Sequence, residues 1–558
     1  MNNIFFKILH IAGDDLYGRT VVCKTTSGEE KTGIVVAQRH PVAFVLCNFD
    51  TFDEESTSIS ILKSKSQISV SPELIGSTLD CFGNDLSTSE TKPNTEAENI
   101  FSNAIFSPIP KVDEISVINA PLLTGISTID VLTPIGKGQN MLLIGNDADQ
   151  RRNIIIDILT KQVKEGTKCI YASTSSANED KSATLSILKE SGLGEKIITI
   201  CARDHIDATS FSTSAAEAVT VSSSACSIAE VFAREKGEDT LVIIDALDEH
   251  KNLWDATTRT LVDLYGVDAV VQGDISGSAS SEMRGFYSGL VQRSAKFNNV
   301  KGGGSLTLIL VCSVLNDDSN EDEDKMEFKS EDFDQTSEKI KERIAKLVQA
   351  KIPLTAATLK KIQIPIPISN DNRNSFRLSM QHIDDLISMS DGQIWLTTPD
   401  EGSNNLILDV QRSITRVGIG ADTQSRADAP ALQALTGGIR FELAQALDTL
   451  ETTEEQRSTA DFKSITKRDA LLLAMYQEPG HTRSLSEECV ALLAVKIGEL
   501  DNVVNNMSRD DAVKEVRNML EFVWKNAGEE MQAVDDTLDF ASNDSLPILE
   551  KAIKDYFN

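Results

Sequence analysis

The chain has 558 residues, enough for two to four domains that each bury a core of their own. Hydrophobic residues make up 40% and charged residues 25%, the composition of an ordinary soluble protein. The net charge of −31 argues against broad nucleic-acid binding, which needs a lysine and arginine surface to displace counterions, and suits an acidic solvated surface or basic partners.

The opening stretch, MNNIFFKILHIAGDD, holds a short apolar patch without the small residues of a cleavage site. Asp14 and Asp15 come too early for an arginine-rich transit peptide. From 18 to 80 the runs TVVCKTT, KTGIVVAQ, VAFVLCNF, TSISIL and SQISV are separated by polar and glycine turns. They predict a small antiparallel barrel or sandwich. Residues 85–100, DLSTSETKPNTEAENI, are polar and read as linker.

From about 116 to 310, strand-like runs (MLLIG, KCIYAS, KIITIC, TLVIID, SLTLILVC) alternate with helical segments. That alternation predicts a parallel sheet covered on both faces. Residues 316–334 carry ten acids against two lysines and predict a surface or disordered insertion. SEKIKERIAKLVQA (337–350) follows as a helix, and beyond about 425 apolar spacings of three and four predict a helical bundle to the end. The expected division is a β-barrel over 1–84, a linker over 85–115, an α/β domain over 116–425 with the acidic insertion at about 316–350, and a helical domain over 426–558.

The chemistry concentrates at 134–159, PIGKGQNMLLIGNDADQRRNIIIDIL. An apolar strand enters a polar loop and then a helix, the setting in which backbone N–H groups and a helix N-terminus hold phosphate. The loop is Gly145, Asn146, Asp147, Ala148, Asp149, Gln150, Arg151 and Arg152. Against G-x-x-x-x-G-K-[ST], Gln150 replaces the second glycine, Arg151 the lysine and Arg152 the hydroxyl residue that would hold magnesium. The arginines could attract an anion at a helix start or form a solvated basic pair, with Asp147 and Asp149 repelling a triphosphate. Asp245 ends LVIIDAL at the sheet edge where ligands sit, either ordering a metal-bound water or capping neighbouring N–H groups.

Asp248-Glu249-His250 resembles an acid–base set but fits a helix start, where the dipole favours acids. GGGS at 302–305 reads as a turn before a strand. The eight cysteines include no C-x-x-C pair and the six histidines no ligand spacing, so no protein-built metal site is expected, and reduced thiols are.

Several segments, in order, resemble the alpha-type, non-catalytic subunit of the rotary F-type ATP synthase head. They are GSTLDCFGN (76–84), APLLTGISTIDVLTPIGKGQNMLLIG (120–145), LVIIDAL (241–247), GGGSLTLILV (302–311), ISMSDGQIWL (387–396), DVQRSITRVGIG (409–420) and FELAQALDTL (441–450). The resemblance implies a β-barrel, a RecA-like P-loop α/β domain and a helical bundle. It implies beta-type catalytic subunits and a central shaft subunit as partners, with membrane contact only through the complex. The compartment it implies is the matrix side of the mitochondrial inner membrane or the plastid stroma.

Thr415-Arg416-Val417-Gly418 matches the motif whose arginine reaches the neighbouring subunit's nucleotide, so Arg416 is the implied catalytic contribution. The departures imply weak or lost binding of ATP or ADP with Mg: the altered loop, STSSANED (173–180) in place of a glutamine segment, and Ala246 where a second acid would stand. An alternative is a divergent paralogue acting as a structural or regulatory scaffold.

Overall fold

The computed structural model describes residues 3–9, 15–25, 30–48, 57–86, 100–174, 178–203, 211–266, 278–314, 338–349, 352–355, 358–359, 378, 380–397, 407–416, 429–450, 459–540 and 544–558. The acidic run at 316–334, most of the 85–100 linker, residues 175–177, and Val417 and Gly418 lie outside the described residues.

Five strands, β1 (Asn3–Ile8), β2 (Arg19–Thr25), β3 (Glu30–Arg39), β4 (Val42–Asn48) and β5 (Thr57–Lys65), form an antiparallel sheet in the order β1-β4-β3-β2-β5. The apolar run of β4 is buried throughout because its two faces serve two cores. Phe44 and Leu46 pack toward the α/β domain, while Ala43, Val45 and Cys47 face the N-terminal sheet's own cluster. Period-two alternation sorts the side chains between them. The apolar patch at the start of the chain is β1, with Phe5 paired opposite Leu46.

β6 (Gln67–Val70) pairs with β8 (Phe101–Ala104), so residues on both sides of the polar linker form one ribbon. β7 (Thr78–Leu79) leaves the N-terminal sheet and joins the edge of the central one. Both pairings cross the expected divisions at 84 and 85–115. β9 (Pro121–Leu122) and β10 (Ile135–Gly136) form a small ribbon around α1 (Ser127–Leu132).

The central sheet contains β11 (Asn140–Ile144), β12 (Lys168–Ser173), β13 (Ile198–Cys201), β14 (Asp239–Asp245), β16 (Ser305–Cys312), β17 (Gly392–Trp395) and β18 (Ile414–Thr415). Its order is β18-β17-β11-β16-β14-β12-β13-β7, with β15 (Ala295–Lys296) beside β16. Strands β11 to β14, β16, β17 and β7 are parallel, and β15 and β18 run antiparallel. Each of the five strand runs expected here is a strand.

Crossovers are α2 (Ala148–Lys164), α3 (Asn178–Glu190), α4 (Phe211–Glu235), α5 (Glu249–Tyr265) and α6 (Ser278–Val291). The sheet is apolar on both faces. Met141, Leu143, Ile243 and Ile309 pack toward the helical domain, and Leu142, Ile144, Val242 and Leu308 toward the N-terminal side. GGGS is the turn expected. A Cβ on Gly302 would lie 2.2 Å from the Arg234 carbonyl oxygen and one on Gly304 2.3 Å from that of Glu238, so no side chain fits there.

Helix α7 (Glu338–Gln349) matches the expectation after the insertion, and α8 (Met380–Met389) precedes β17. The C-terminal domain comprises α9 (Pro430–Thr436), α10 (Ile439–Leu450), α11 (Thr459–Met475), α12 (Leu485–Lys496), α13 (Glu499–Asn506), α14 (Arg509–Asn526), α15 (Gly528–Thr537) and α16 (Ser545–Phe557). Helix α12 is buried nearly all round, so it shows no amphipathic stripe and forms the centre of the bundle. The architecture is the expected one: N-terminal antiparallel strands, a mostly parallel α/β centre and a helical end.

Candidate functional site

β11 stops at Ile144 and α2 starts at Ala148, so only Gly145, Asn146 and Asp147 lie between them. Gln150, Arg151 and Arg152, expected at the end of a phosphate-type loop, stand instead in the first turns of the helix. Local chemistry accounts for the early start. Asp147 is the N-cap, and its carboxylate accepts the Gln150 N–H at 3.0 Å. Asn146 Oδ1 accepts the Val314 N–H at 2.9 Å, and Gly145 donates its N–H to the Cys312 carbonyl at 3.1 Å. Gly145 has no room for a side chain, since a Cβ there would lie 2.9 Å from Leu396 Cβ.

The basic pair is engaged inside the chain. Arg151 Nη1 donates to the Gly145 carbonyl oxygen. Arg152 pairs with Asp149 one turn back and donates Nε–H to Thr184 Oγ1 at 3.2 Å. The Gln150 amide donates to the Thr397 carbonyl at 2.9 Å. Ala148 adds only a backbone to the first turn.

Around the carboxyl ends of β14 and β16 sit the acids. Asp245 Oδ2 accepts the Tyr171 hydroxyl at 2.6 Å, and Thr174 donates N–H to the Asp245 carbonyl at 3.1 Å. Ala246 adopts a left-handed φ of 67°, which turns the chain out of β14. Asp248 sits just before α5 but does not cap it with its side chain. Its carboxylate accepts the Ser313 N–H at 3.1 Å and the Ser313 hydroxyl at 2.7 Å. Burial pushes this carboxyl up to about 7, against the Ser313 hydrogen bonds and the nearby Arg151 charge. His250 is buried, and desolvation lowers its imidazole to about 3, so it stays neutral. Its ring nitrogens meet no partner among the described residues, which leaves the trio at 248–250 without a working acid–base relay.

Arg416 is exposed and lies at the opposite end of the sheet. Its N–H donates to the Asp391 carbonyl at 2.8 Å and its Nη1 to the Ser390 carbonyl at 3.2 Å. Thr415 pairs with Gly392, the first residue of β17, whereas the Asp147 loop follows the last residue of the parallel β11. Four to five strand residues separate the two levels, roughly 15 Å. Arg416 is therefore not brought together with Gly145 to Arg152 or with Asp245.

Sequence reasoning missed the Asp147 cap, although an Asp just before an apolar-periodic segment is a helix-start signal. It also missed a buried interdomain cluster. Asp130 Oδ1 accepts Thr124 N–H and hydroxyl, and Oδ2 accepts Gly125 N–H, at 2.8 to 2.9 Å. Against it lies the fully buried Glu488 of α12. Among the described residues no group of three or more His, Cys, Asp or Glu could hold a metal ion, and no helix is long and apolar enough to cross a membrane.

Residues 125–323 match the ATP synthase alpha/beta family, nucleotide-binding domain. An ATP synthase subunit alpha 1 of Listeria welshimeri is 29% identical over 275 residues, covering 47% of this chain and 49% of the relative. Its counterpart in Listeria monocytogenes serotype 4b is 30% identical over 263 residues, covering 45% and 46%. The chain thus spans about half the length of these two relatives. An ATP synthase subunit alpha 1 of Methylococcus capsulatus aligns more widely, 25% identical over 503 residues, with 88% of this chain and 80% of the relative covered. The chain is thus similar to bacterial ATP synthase alpha subunits, and over residues 125–323 to the nucleotide-binding domain of the ATP synthase alpha/beta family.

Proposed function

We propose that the chain works as an alpha-like, non-catalytic subunit of a proton-translocating F-type ATP synthase head. In that role it neighbours beta-type catalytic subunits and a central shaft subunit, on the matrix or stromal side of an energy-converting membrane. Its own loop binds ATP or ADP with Mg weakly or not at all, and Arg416 completes the catalytic site next door. The observation that carries this reading is the separation of the two features. Arg416 is exposed and directly follows the edge strand β18, at the end of the sheet away from the chain's own loop. An arginine so placed cannot serve a nucleotide at residues 145–152 of its own chain. On a neighbour's nucleotide it would offset charge on the transferred phosphoryl group.

The loop residues do not fit a metal-bound triphosphate. The Asp147 carboxylate already occupies one of the helix's N-terminal N–H groups and brings negative charge where phosphate would bring more. Arg151 and Arg152 donate to Gly145 and Asp149. Neither arginine supplies the oxygen that magnesium needs. Calorimetric titration with Mg-ATP and Mg-ADP should accordingly show no micromolar binding to the isolated chain. For the neighbour-directed role, Arg416→Ala in the reconstituted ring should lower ATPase turnover by about 10³-fold or more, the scale of arginine-finger loss. Unchanged turnover would remove that role.

A second reading is a divergent paralogue that keeps the fold as a structural or regulatory scaffold. The internal engagement of Arg151 and Arg152 favours it, since nothing in that loop is held ready for a ligand. Isolation of the native complex separates the two readings. Co-purifying beta-type subunits support the first, and a chain recovered without them supports the second.

A further inference from the structure

Strands β2 and β4 lie on either side of β3, and each brings one cysteine to the face of the N-terminal sheet's own core. Cys23 stands opposite Lys31 of β3, and Cys47 opposite Gly33. Gly33 keeps the space between them open. A Cβ there would lie 2.9 Å from Cys47 Cβ and 2.7 Å from the Leu46 carbonyl oxygen, so no side chain fits beneath Cys47. Across this gap the Cys47 thiol donates to the Cys23 sulfur, and both residues are buried.

Backbones two strands apart are separated by roughly 9–10 Å, twice the spacing of neighbouring strands. A disulfide closes only between Cα atoms within about 7 Å, so this pair cannot form one unless a strand moves. A metal ion asks for less. Two metal–thiolate bonds of about 2.3 Å span roughly 4.5 Å, close to the separation of two hydrogen-bonded sulfurs.

The surroundings select the ion. Phe6, Val21, Val35 and Val45 share the cluster with the two cysteines and offer no side-chain oxygen or nitrogen. Among the described residues no third His, Cys, Asp or Glu completes a larger ligand set. Zinc, which takes four ligands, and magnesium, which takes six oxygens, are both left short. A soft ion held by two sulfurs is not. Two thiolates around a monovalent ion carry one net negative charge, and the half-buried Lys31 ammonium acts on Cys47 from β3. The way in is through β5, the outermost strand, whose Ile59 pairs with Cys23 and whose side chains are mostly exposed. Such an edge opens locally at low cost, so burial slows an ion without excluding it.

We propose that Cys23 and Cys47 form a two-coordinate site for a soft monovalent metal ion of the Cu(I) or Ag(I) class. Each thiol releases its proton to solvent and gives a sulfur lone pair to the ion, with no change of oxidation state. The site belongs to the single chain and is independent of residues 145–152 and of assembly into a ring.

The test offers Cu(I), as its coloured bicinchoninate complex, to the full chain without oxygen and follows the loss of colour. Wild type should take up one equivalent more than Cys23→Ala or Cys47→Ala. X-ray absorption of the chain loaded with that equivalent should show two sulfur neighbours and no nitrogen or oxygen. Loading should raise the melting temperature of wild type and leave that of the variants unchanged. Should the alanine variants melt early, Cys47→Ser, whose hydroxyl can still donate to Cys23, carries the comparison. An equal concentration of Zn(II) should not displace the ion. Diamide, an oxidant of thiols, should leave Cys23 and Cys47 reduced in the folded chain, read by peptide mass. The proposal is overturned if a folded variant takes up as much Cu(I) as wild type, if the bound ion has three or more ligands, if Zn(II) displaces it, or if diamide joins Cys23 to Cys47.

Discussion

Asp147 shows how one side chain decides where a helix begins and what can approach it. Its carboxylate satisfies the Gln150 N–H and brings α2 forward to Ala148. Asp147→Ala should cost about 1 kcal/mol of folding stability through the lost cap, read from urea unfolding. Asp147→Asn keeps an accepting oxygen and removes the charge. It should unfold near the wild-type midpoint and bind inorganic phosphate more tightly in calorimetric titration. A wild-type phosphate affinity in the Asn variant would mean that the charge of Asp147 does not govern the loop. The altered loop residues were legible in the sequence, letter by letter. Their placement was not, because the motif fixes spacing only when the helix starts where the motif expects. The role of Asp248 was equally hidden, since Ser313, which donates to it, lies 65 positions away.

Elements in this chain are joined through buried polar groups as well as apolar ones. Arg293, wholly buried after α6, donates to Glu230 of α4 at 2.7 Å, to the Ile105 and Ser223 carbonyls and to the Ser227 hydroxyl. Arg293→Met should cost about 3–5 kcal/mol by leaving the Glu230 charge buried without its counter-ion, with only the Asn103 amide still donating to it, and Glu230→Leu in the same background should restore much of it. Chemical denaturation of the single and double variants checks both.

The interdomain pair Asp130 and Glu488 gives a pH dependence with a definite sign. Burial raises both carboxyls, Glu488 the more, while Thr124 and Gly125 donate to Asp130 and hold the charge there. The proton therefore resides on Glu488. A folded state that keeps a proton the unfolded chain gives up near pH 4 is most stable below that pH, and loses stability as pH rises. The melting temperature should fall from pH 5 to pH 8, and Glu488→Gln, which carries no titrating proton, should flatten that fall.

At the scale of the whole molecule, the order of parts was legible because the apolar runs are long and their flanks polar. MLLIG, KCIYAS and TLVIID fill a sheet buried on both faces, so they could be read without knowing their neighbours. β1 and β7 could not. Asn3–Ile8 becomes a strand through its pairing with β4, and Thr78–Leu79 through its pairing with β13, and both partners are remote in sequence. α12 was read as helix on apolar spacing, yet its near-complete burial makes it the hub of the bundle, a fact set by the helices around it.

The pairing of Thr78 with Thr199 and Leu79 with Ile200 also has a consequence for anyone trimming the protein. Removing the first 80 residues would strip a cover from β13, uncapping backbone donors and acceptors on a fully buried strand. A fragment beginning after that point should self-associate through this bare margin, where the intact chain does not. Light scattering of the two forms at matched concentration would register the difference.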